Sequence, residues 1–158
     1  MARNSAAAHA LGNSLRGQPP PPELAARVKV KVEPADENKE GLRTWSYTIF
    51  NDEPPNSPHF INSFVLDVAA PITVTGTPPG WAVFTDGNSN VLWYSVEQQP
   101  PHSNDVAPGA FLGGFEIQTR EKRSKHAGVG ISSWNRSANQ AGAVALNSVR
   151  TPSEKIND

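Results

Sequence analysis

The residue spacing closest to a metal-binding motif lies between positions 86 and 97. Oxygen-bearing side chains stand at its first, third, fifth and twelfth positions, as in an EF-hand calcium loop, namely Asp86, Asn88, Asn90 and Glu97. That loop needs glycine at its sixth position for a sharp turn, and Val91 stands there instead. Because Val91 also opens a run of strand-forming residues, the stretch indicates a hairpin turn, and we assign no metal to it.

Two histidines, His59 and His102, stand in proline-containing loops that a compact fold could bring together. Zinc takes three or four protein ligands, and the chain has no cysteine to complete such a site. His102, Ser103 and Asp105 make a poor catalytic triad, because three neighbours in one loop do not point at one another. There is no G-x-S-x-G nucleophile turn. We therefore expect a protein without enzymatic activity, bound metal or cofactor.

The strongest charge cluster is basic and lies between positions 120 and 126. Its cations are Arg120, Lys122, Arg123 and Lys125, with His126 beside them. No aromatic residue is interleaved to stack on bases, so nucleic acid is not an expected partner. A solvated loop is one interpretation, and contact with phosphate or an acidic surface is the other. Trp81 and His102 complete the candidate binding residues. The four tryptophans are expected to be core and rim aromatics, and Trp81, which a Pro-Pro-Gly turn delivers to the domain edge, is the one whose exposure would make it a binding anchor. His102 is expected to be an exposed residue of a proline-rich loop.

The composition predicts the elements that position these residues. The 158 residues include 15 prolines and 12 glycines, and 18% are charged. Proline and glycine interrupt helical hydrogen bonding, so this composition favours one all-β domain of short strands and turns. No apolar run approaches the roughly 20 residues that span a bilayer. Residues 1–15 also lack the apolar centre of an export signal.

Charge is unevenly distributed along the chain. Residues 1–27 carry a net charge of +2, residues 28–118 carry −7 and residues 119–158 carry +4. This pattern is either ordinary surface variation or a sign that basic ends contact an acidic partner. The acidic partner is either another molecule or the acidic body of a neighbouring copy of this chain, and the second case would make the protein a homo-oligomer.

Period-two alternation predicts the strands. Residues 27–33 alternate valine with charge, so the valines face the core, while Lys29 and Lys31 face water and mark an edge strand. Residues 44–51 and 60–68 are predicted to be consecutive antiparallel strands joined by the proline-broken loop 51–58. Their core positions are Trp45, Tyr47 and Ile49 on the first strand and Phe60, Phe64, Leu66 and Val68 on the second.

The remaining strands follow at regular intervals. A hairpin is predicted between residues 82–85 and 91–96 around an Asp-Gly turn. Residues 110–119 present a core-facing row of Phe111, Gly113, Phe115 and Ile117, and Gly114 marks a bulge or close approach. Two weaker strands are predicted at 129–134 and 143–149. Eight or nine short strands indicate a sandwich of two antiparallel sheets.

The domain organisation follows from this pattern. Residues 1–26 form an N-terminal arm that contains four consecutive prolines, 19–22, which favour a stiff spacer. Residues 27–150 form the β-sandwich. Residues 151–158 are expected to be a frayed C-terminal tail.

Five stretches carry a resemblance to a known class of modules. They read W-S-Y-T-I-F-N (45–51), I-N-S-F-V-L-D-V (61–68), T-P-P-G-W (77–81), V-L-W-Y (91–94) and A-P-G-A-F-L-G-G-F-E-I (107–117). Together they resemble immunoglobulin-like sandwich modules of bacterial exported and surface proteins. Without an export signal, such a module also resembles phage capsid decoration proteins, in which an N-terminal arm docks on the shell. The basic segment after residue 119 departs from this pattern.

The resemblance implies binding or scaffolding rather than chemistry. We expect a non-enzymatic module at the virion surface, with the capsid shell as its protein partner. The alternative is an adhesive or scaffolding module at a bacterial cell surface or outside the cell. A carbohydrate-binding module is the third option, and it would require an exposed aromatic row.

Overall fold

A computed structural model describes residues 22–33, 41–97, 99 and 101–155. Nine strands occupy these residues: β1 (Ala26–Glu33), β2 (Arg43–Asn51), β3 (His59–Asp67), β4 (Thr73–Gly76), β5 (Trp81–Thr85), β6 (Asn90–Ser95), β7 (Phe111–Thr119), β8 (Ser124–Asn135) and β9 (Gln140–Pro152). The described ranges contain no helix long and apolar enough to cross a membrane.

The strands form two sheets. One has four strands in the order β1-β2-β7-β4, and the other has five in the order β5-β6-β3-β8-β9. Every strand pair is antiparallel. The predictions of an all-β protein, of two antiparallel sheets and of an edge position for β1 are therefore confirmed. On β1 the lysines are exposed and the valines are half-buried, as expected for an edge strand that keeps its charges in water.

Aromatic rings from both sheets meet in the core. Phe64 of β3 stacks on Trp93 of β6 with ring centroids 5.5 Å apart. Phe115 of β7, in the other sheet, meets Phe64 and Trp93 edge-on, each at 5.3 Å. Tyr47 of β2 lies 6.1 Å from Phe64. Edge-on and stacked geometries are the favoured ones for aromatic rings, so this cluster holds the sheets in one arrangement.

The prediction that β2 and β3 pair with each other is wrong. β2 belongs to the four-stranded sheet and β3 to the five-stranded sheet, so the loop between them crosses the sandwich. Asn51, a buried residue at the end of β2, fixes this crossing. Its amide donates to the carbonyl of His59 at 3.0 Å and to that of Val106 at 2.9 Å, and its side-chain oxygen accepts from the backbone amide of Glu53 at 3.1 Å.

Two bulges change which residues face the core. In β3 the register shifts between Ile61 and Ser63, so Ile61 is buried where Phe60 was expected, and Phe60 lies under the guanidinium of Arg136. In β7 the register against β2 shifts beside Gly114, whose φ is +97°, and the predicted bulge is confirmed.

The β7 bulge corrects the predicted core row. Phe115 and Ile117 are buried as expected, but Phe111 is 68% exposed and Leu112 packs against the core in its place. Gly113 also faces outward, because a side chain there would meet the Thr48 hydroxyl of the outer face. One extra residue in a strand reverses the side-chain alternation beyond it, and this explains the error.

The boundaries of the sandwich lie beyond those expected at both ends. Leu24 is buried, and its backbone amide donates to Val144 of β9 at 2.8 Å. Residues 1–21 of the expected arm lie outside the described residues. The expected tail from residue 151 is corrected, because Thr151 and Pro152 belong to β9, and Ser153 is buried and bridges Ala69.

We predict that Phe64→Ala lowers the free energy of unfolding by about 3–5 kcal/mol, because it removes a buried ring that touches both sheets. The matched control is Phe111→Ala, which removes a mostly exposed ring and is expected to cost about 1 kcal/mol or less. Urea unfolding followed by tryptophan fluorescence measures both. Equal losses for the two variants would contradict the assigned core.

Asn51→Ala is expected to lower the free energy of unfolding by about 2–4 kcal/mol, because it leaves buried backbone groups without hydrogen-bond partners. Asn88→Ala, in the exposed β5–β6 turn, serves as the control and is expected to stay within about 0.5 kcal/mol of the parent. If both variants have the same free energy of unfolding as the parent, Asn51 does not hold the β2–β3 crossing.

Candidate protein-contact face

Trp81 is not exposed, so it offers no binding anchor, and its interpretation as a core or rim aromatic is confirmed. The Pro-Pro-Gly turn closes with the Trp81 amide donating to Pro78 O at 3.1 Å, and Gly80 has a φ of +79°. The turn directs the indole inward, where it is 7% exposed and meets Phe115 edge-on at 5.3 Å. Its Nε1 donates to the carbonyl of Asn104 at 2.9 Å. Trp81 therefore closes one end of the core.

His102 is also buried, at 4% exposure, and the expectation of an exposed loop residue is wrong. Its Nδ1 donates to Glu97 O at 3.1 Å, and its ring lies 5.3 Å from that of Trp134. Its carbonyl accepts from the Arg136 guanidinium at 2.6 Å. The Nδ1 atom of His59 instead accepts a hydrogen bond from the backbone amide of Ala143 at 3.2 Å. The two histidines thus hold different segments in place.

The neighbours of His102 are engaged in the same loop. The Ser103 hydroxyl donates to the Glu97 carboxylate at 2.7 Å, so it does not face His102 as a nucleophile would. Burial raises the pKa of Asp105, while a hydrogen bond with Ser95 and the nearby charge of His102 oppose that change. Ser95 has no exposed surface. These polar groups order the loop that covers this end of the sandwich.

The basic segment lines an open groove of about 730 Å³. Arg120, Lys122 and Arg123 line it together with residues 71–73 at the start of β4, whereas Lys125 lies in β8 and does not line it. Glu121 and Glu154 line it as well, so the site carries both signs of charge. Two hydrogen bonds from the Arg123 guanidinium to Glu121, at 2.8 and 3.1 Å, lower the Glu121 pKa to about 2. Within the described residues, no group of three or more His, Cys, Asp or Glu side chains could hold a metal ion.

Asp86 organises the β5–β6 turn, as the hairpin interpretation predicted. Its Oδ1 accepts the backbone amides of Asn88, Ser89 and Asn90 at 3.0, 2.8 and 3.3 Å. Its Oδ2 accepts from the Ser89 hydroxyl. The Ser89 hydrogen bond, followed by the backbone amides, holds the pKa of this carboxyl well below its usual range. Turn formation therefore occupies both oxygens of the carboxylate that stands at the first position of the EF-hand-like spacing.

An apolar row crosses the outer face of the five-stranded sheet. The strand registers place one residue from each strand side by side, in the order Phe84, Leu92, Val65, Gly130 and Leu146. Their chain neighbours Val91, Phe64 and Ile131 are buried in the core, so by alternation this row points outward. Phe84 is 68% exposed and Leu146 is 60% exposed. We call these five residues the apolar row.

A second row lies beside the first and is also uncharged. It consists of Ala82, Tyr94, Ser63, Ser132 and Val144. We call the two rows together the neutral face, since none of these ten side chains is Asp, Glu, Lys or Arg. Charged residues on the outward positions of the same strands, Asp67 and Arg150, lie beyond it. A sheet face in contact with water usually carries charged side chains among its polar ones, and these ten positions carry none.

The outer face of the four-stranded sheet provides the contrast. Its β1 positions are Arg27, Lys29, Lys31 and Glu33, all exposed, and Glu116 lies on β7. Phe50 and Phe111 pair on this face 5.7 Å apart, with the Arg27 guanidinium 4.4 Å from the Phe50 ring. Five charged side chains thus lie on this outer face, whereas the ten positions of the neutral face carry none. The neutral face remains as the strongest protein-contact surface in the described structure.

Sequence reasoning did not identify the neutral face. A signal was present in β8, where Gly128, Gly130 and Ser132 alternate with the core residues Val129 and Ile131. Such alternation predicts a half-buried strand. Glycine and serine at its outward positions also mean that the exposed side of the strand carries only short, uncharged side chains. The five outward positions come from strands far apart in sequence, so only the sheet order brings them together.

Comparison with known proteins supports the fold. No protein-family model and no curated protein matches the chain. A crystal structure of an uncharacterized protein from Nocardia farcinica, which has an immunoglobulin-like fold, superposes with a TM-score of 0.52. The two chains are 14% identical, and the match covers 75% of this chain and 81% of that one. The predicted immunoglobulin-like fold is therefore confirmed, and at this identity the likeness shows the fold alone.

The Asp86 turn gives a prediction for acid stability. A carboxyl group whose pKa is lowered by folding stabilises the native state above its unfolded pKa, about 3.9, and that contribution is lost as the pH falls below it. We expect the free energy of unfolding to fall less in Asp86→Asn than in the parent when the pH is lowered from 6 to 2.5. The difference between the two decreases is expected to be about 1 kcal/mol or less, because the carboxyl is exposed.

Urea unfolding at a series of pH values measures this difference. Ser89→Ala, which removes one hydrogen bond to the carboxylate, should fall between the parent and Asp86→Asn. An identical pH dependence in all three proteins would show that the turn does not use the ionised carboxylate.

Proposed function

We propose that this chain is a non-enzymatic binding module that docks on a large protein assembly, specifically as a decoration protein at the surface of a virion. The single observation that carries the proposal is the neutral face. Surfaces that remain in water are rarely both apolar and free of charge across all five strands of a sheet, whereas the centres of protein contacts are depleted of charge. The neutral face is then the surface through which the module is built into the assembly.

The polar groups that could have served chemistry support a non-enzymatic role. His102 and Trp81 are packed inside, Ser103 is held by Glu97, and the Asp86 carboxylate is occupied by its own turn. An active site instead needs a nucleophile, a base and a reachable cavity around them. These residues have structural roles that account for each of them.

The basic segment fits the same proposal as a secondary contact. Arg120 and Lys122 line an open groove, and Glu121 neutralises Arg123. Cations at a rim steer an encounter with an acidic surface and raise the association rate more than the affinity. The partner in this proposal is a protein assembly, not nucleic acid.

A second candidate is an adhesive or scaffolding module at a bacterial cell surface. The exposed Phe111 beside Phe50 favours it, because a second aromatic patch on the opposite sheet lets one module hold two partners. A carbohydrate-binding role is not favoured, since Trp45, Trp81 and Trp93 are all buried and offer no platform for a sugar.

Fractionation of cultures that carry the gene tests the proposal. We predict that the chain, quantified by mass spectrometry, bands with density-purified capsid particles in a fixed ratio to the shell protein. The control is the cell-envelope fraction of the same culture. Recovery in the envelope fraction, with none on the particles, would reject the virion assignment in favour of the surface module.

A further inference from the structure

We infer that the edge strand β5 pairs with β5 of a second copy of this chain, so that the two five-stranded sheets join edge to edge. The contact is made by the backbone of a strand edge, so the inference goes beyond the proposed use of the neutral face. An edge strand has one row of backbone groups without a partner in its own sheet, and these groups are a template for another strand.

The edge at β5 is the least protected of the four sheet edges in the described structure, which are β1, β4, β5 and β9. The outward residues of β1 are charged and exposed, and part of β9 is paired with residues 22–24. β4 has only four residues, and its register is broken. Charge, cover and irregularity are the usual protections of an edge. β5, which reads W-A-V-F-T, has no charged residue, and it pairs with β6 without a register shift.

The register of β5 against β6 determines which backbone groups face the open edge. The amide of Val96 donates to the carbonyl of Gly80 at 3.0 Å, so the even-numbered residues of β5 are the ones that bond to β6. The backbone groups of Trp81, Val83 and Thr85 therefore point away from β6. The Trp81 amide closes the preceding turn, and the other groups are directed to the edge, where β5 has no second neighbour in its sheet.

A two-fold axis beside Val83 pairs these groups with their equivalents. In the antiparallel register centred there, Val83 exchanges both of its backbone hydrogen bonds with Val83 of the second copy. Each Thr85 amide donates to the Trp81 carbonyl of the other copy, which gives about four hydrogen bonds in total. A two-fold contact needs a patch that complements itself, and donors and acceptors placed symmetrically about Val83 meet this requirement.

The outward side chains also fit this register. Phe84 lies opposite Ala82 of the second copy in a pair without mutual hydrogen bonds, where side chains approach most closely. Phe84 is 68% exposed in the single chain, and the small residue opposite leaves room for its ring. The five residues of β5 bring no like charges together. Asp86, which follows the strand, falls opposite Gly80 of the other copy.

The contact is small, so the pairing is reversible. Two strands of this length bury less than the roughly 1,200 Å² of a standard interface, and we expect association only at high micromolar concentrations. Because the joined sheets are continuous, the neutral faces of the two copies lie side by side. A pair therefore presents a face about twice as wide as that of one chain.

Hydrogen exchange resolved at single amides tests the pairing on the purified chain. We expect the Val83 and Thr85 amides to exchange at least about twofold more slowly at about 1 mM than at about 10 μM, because pairing protects them. The Val30 amide is the control, since it points outward from the other edge strand, β1. Unchanged exchange at Val83, or equal slowing at Val30, would overturn the inference.

Proline substitution tests the same hydrogen bonds by sedimentation equilibrium. Val83→Pro removes the central amide donor and is expected to raise the dissociation constant at least tenfold. Val30→Pro is the matched control, because both valines are half-buried on edge strands with outward amides, where proline is tolerated. Equal dissociation constants for Val83→Pro and the parent would show that β5 is not the contact.

Cross-linking tests the register without removing a hydrogen bond. The chain has no cysteine, so Ala82→Cys introduces the only thiol. The two thiols of a pair are diagonal neighbours about 7–8 Å apart, and a short bismaleimide should join them. Ser132→Cys, on the neutral face but in β8, should not be joined. Joining of Ser132→Cys alone would indicate a contact between faces and refute the inference.

The two proposals fail separately. A chain that pairs through β5 but is missing from capsid particles keeps this inference and rejects the virion role. A chain that bands with particles, yet shows no protection of Val83 at high concentration, keeps the virion role and rejects the pairing.

Discussion

The contact between Phe115 and the stacked pair Phe64 and Trp93 is the interaction on which the rest of this structure depends. It joins the two sheets, since Phe115 lies on β7 and its partners lie on β3 and β6. A ring held edge-on by two others fixes both the distance and the angle between the sheets. Each strand then has one face committed to the core, and its other face is free to differ between the sheets.

That difference separates the two outer faces by chemistry. The four-stranded sheet presents lysine, arginine and glutamate to water, and charged outward side chains protect its edge strand β1 from pairing. The neutral face of the five-stranded sheet presents glycine, serine, tyrosine and apolar side chains instead, and Asp67 and Arg150 lie beyond it. Its edge at β9 is covered by Leu24, which donates a hydrogen bond to Val144. Residues 22–24 thus pair with part of this edge, while Phe84 and Leu146 of the neutral face are mostly exposed.

Much of the fold could be predicted from the sequence because alternation survives in most strands. The β1 valines, the hairpin around Asp86 and the bulge at Gly114 are all local features with local causes. The errors occurred where the cause was not local. The pairing of β2 with β3 was wrong, because nothing in the loop between them shows that Asn51 bonds to the distant Val106.

The candidate site was harder to predict than the fold. Residues selected for their chemistry, Trp81 and His102, are the ones that the structure buries, since large rings and hydrogen-bonding loops close the ends of a sandwich. The residues of the neutral face have no chemistry of their own. Phe84 and Leu146 become one surface only through the order of five strands, and sequence spacing carries no record of that order.

Hydroxyl-radical footprinting of the free chain and of the chain on purified capsid particles tests most directly the claim that the neutral face is a contact surface. We predict that Phe84, Tyr94 and Leu146 lose reactivity on the particles, while Phe111 stays reactive. Unchanged reactivity of Phe84 on purified particles would contradict the claim, because the neutral face would then remain in water in the assembly.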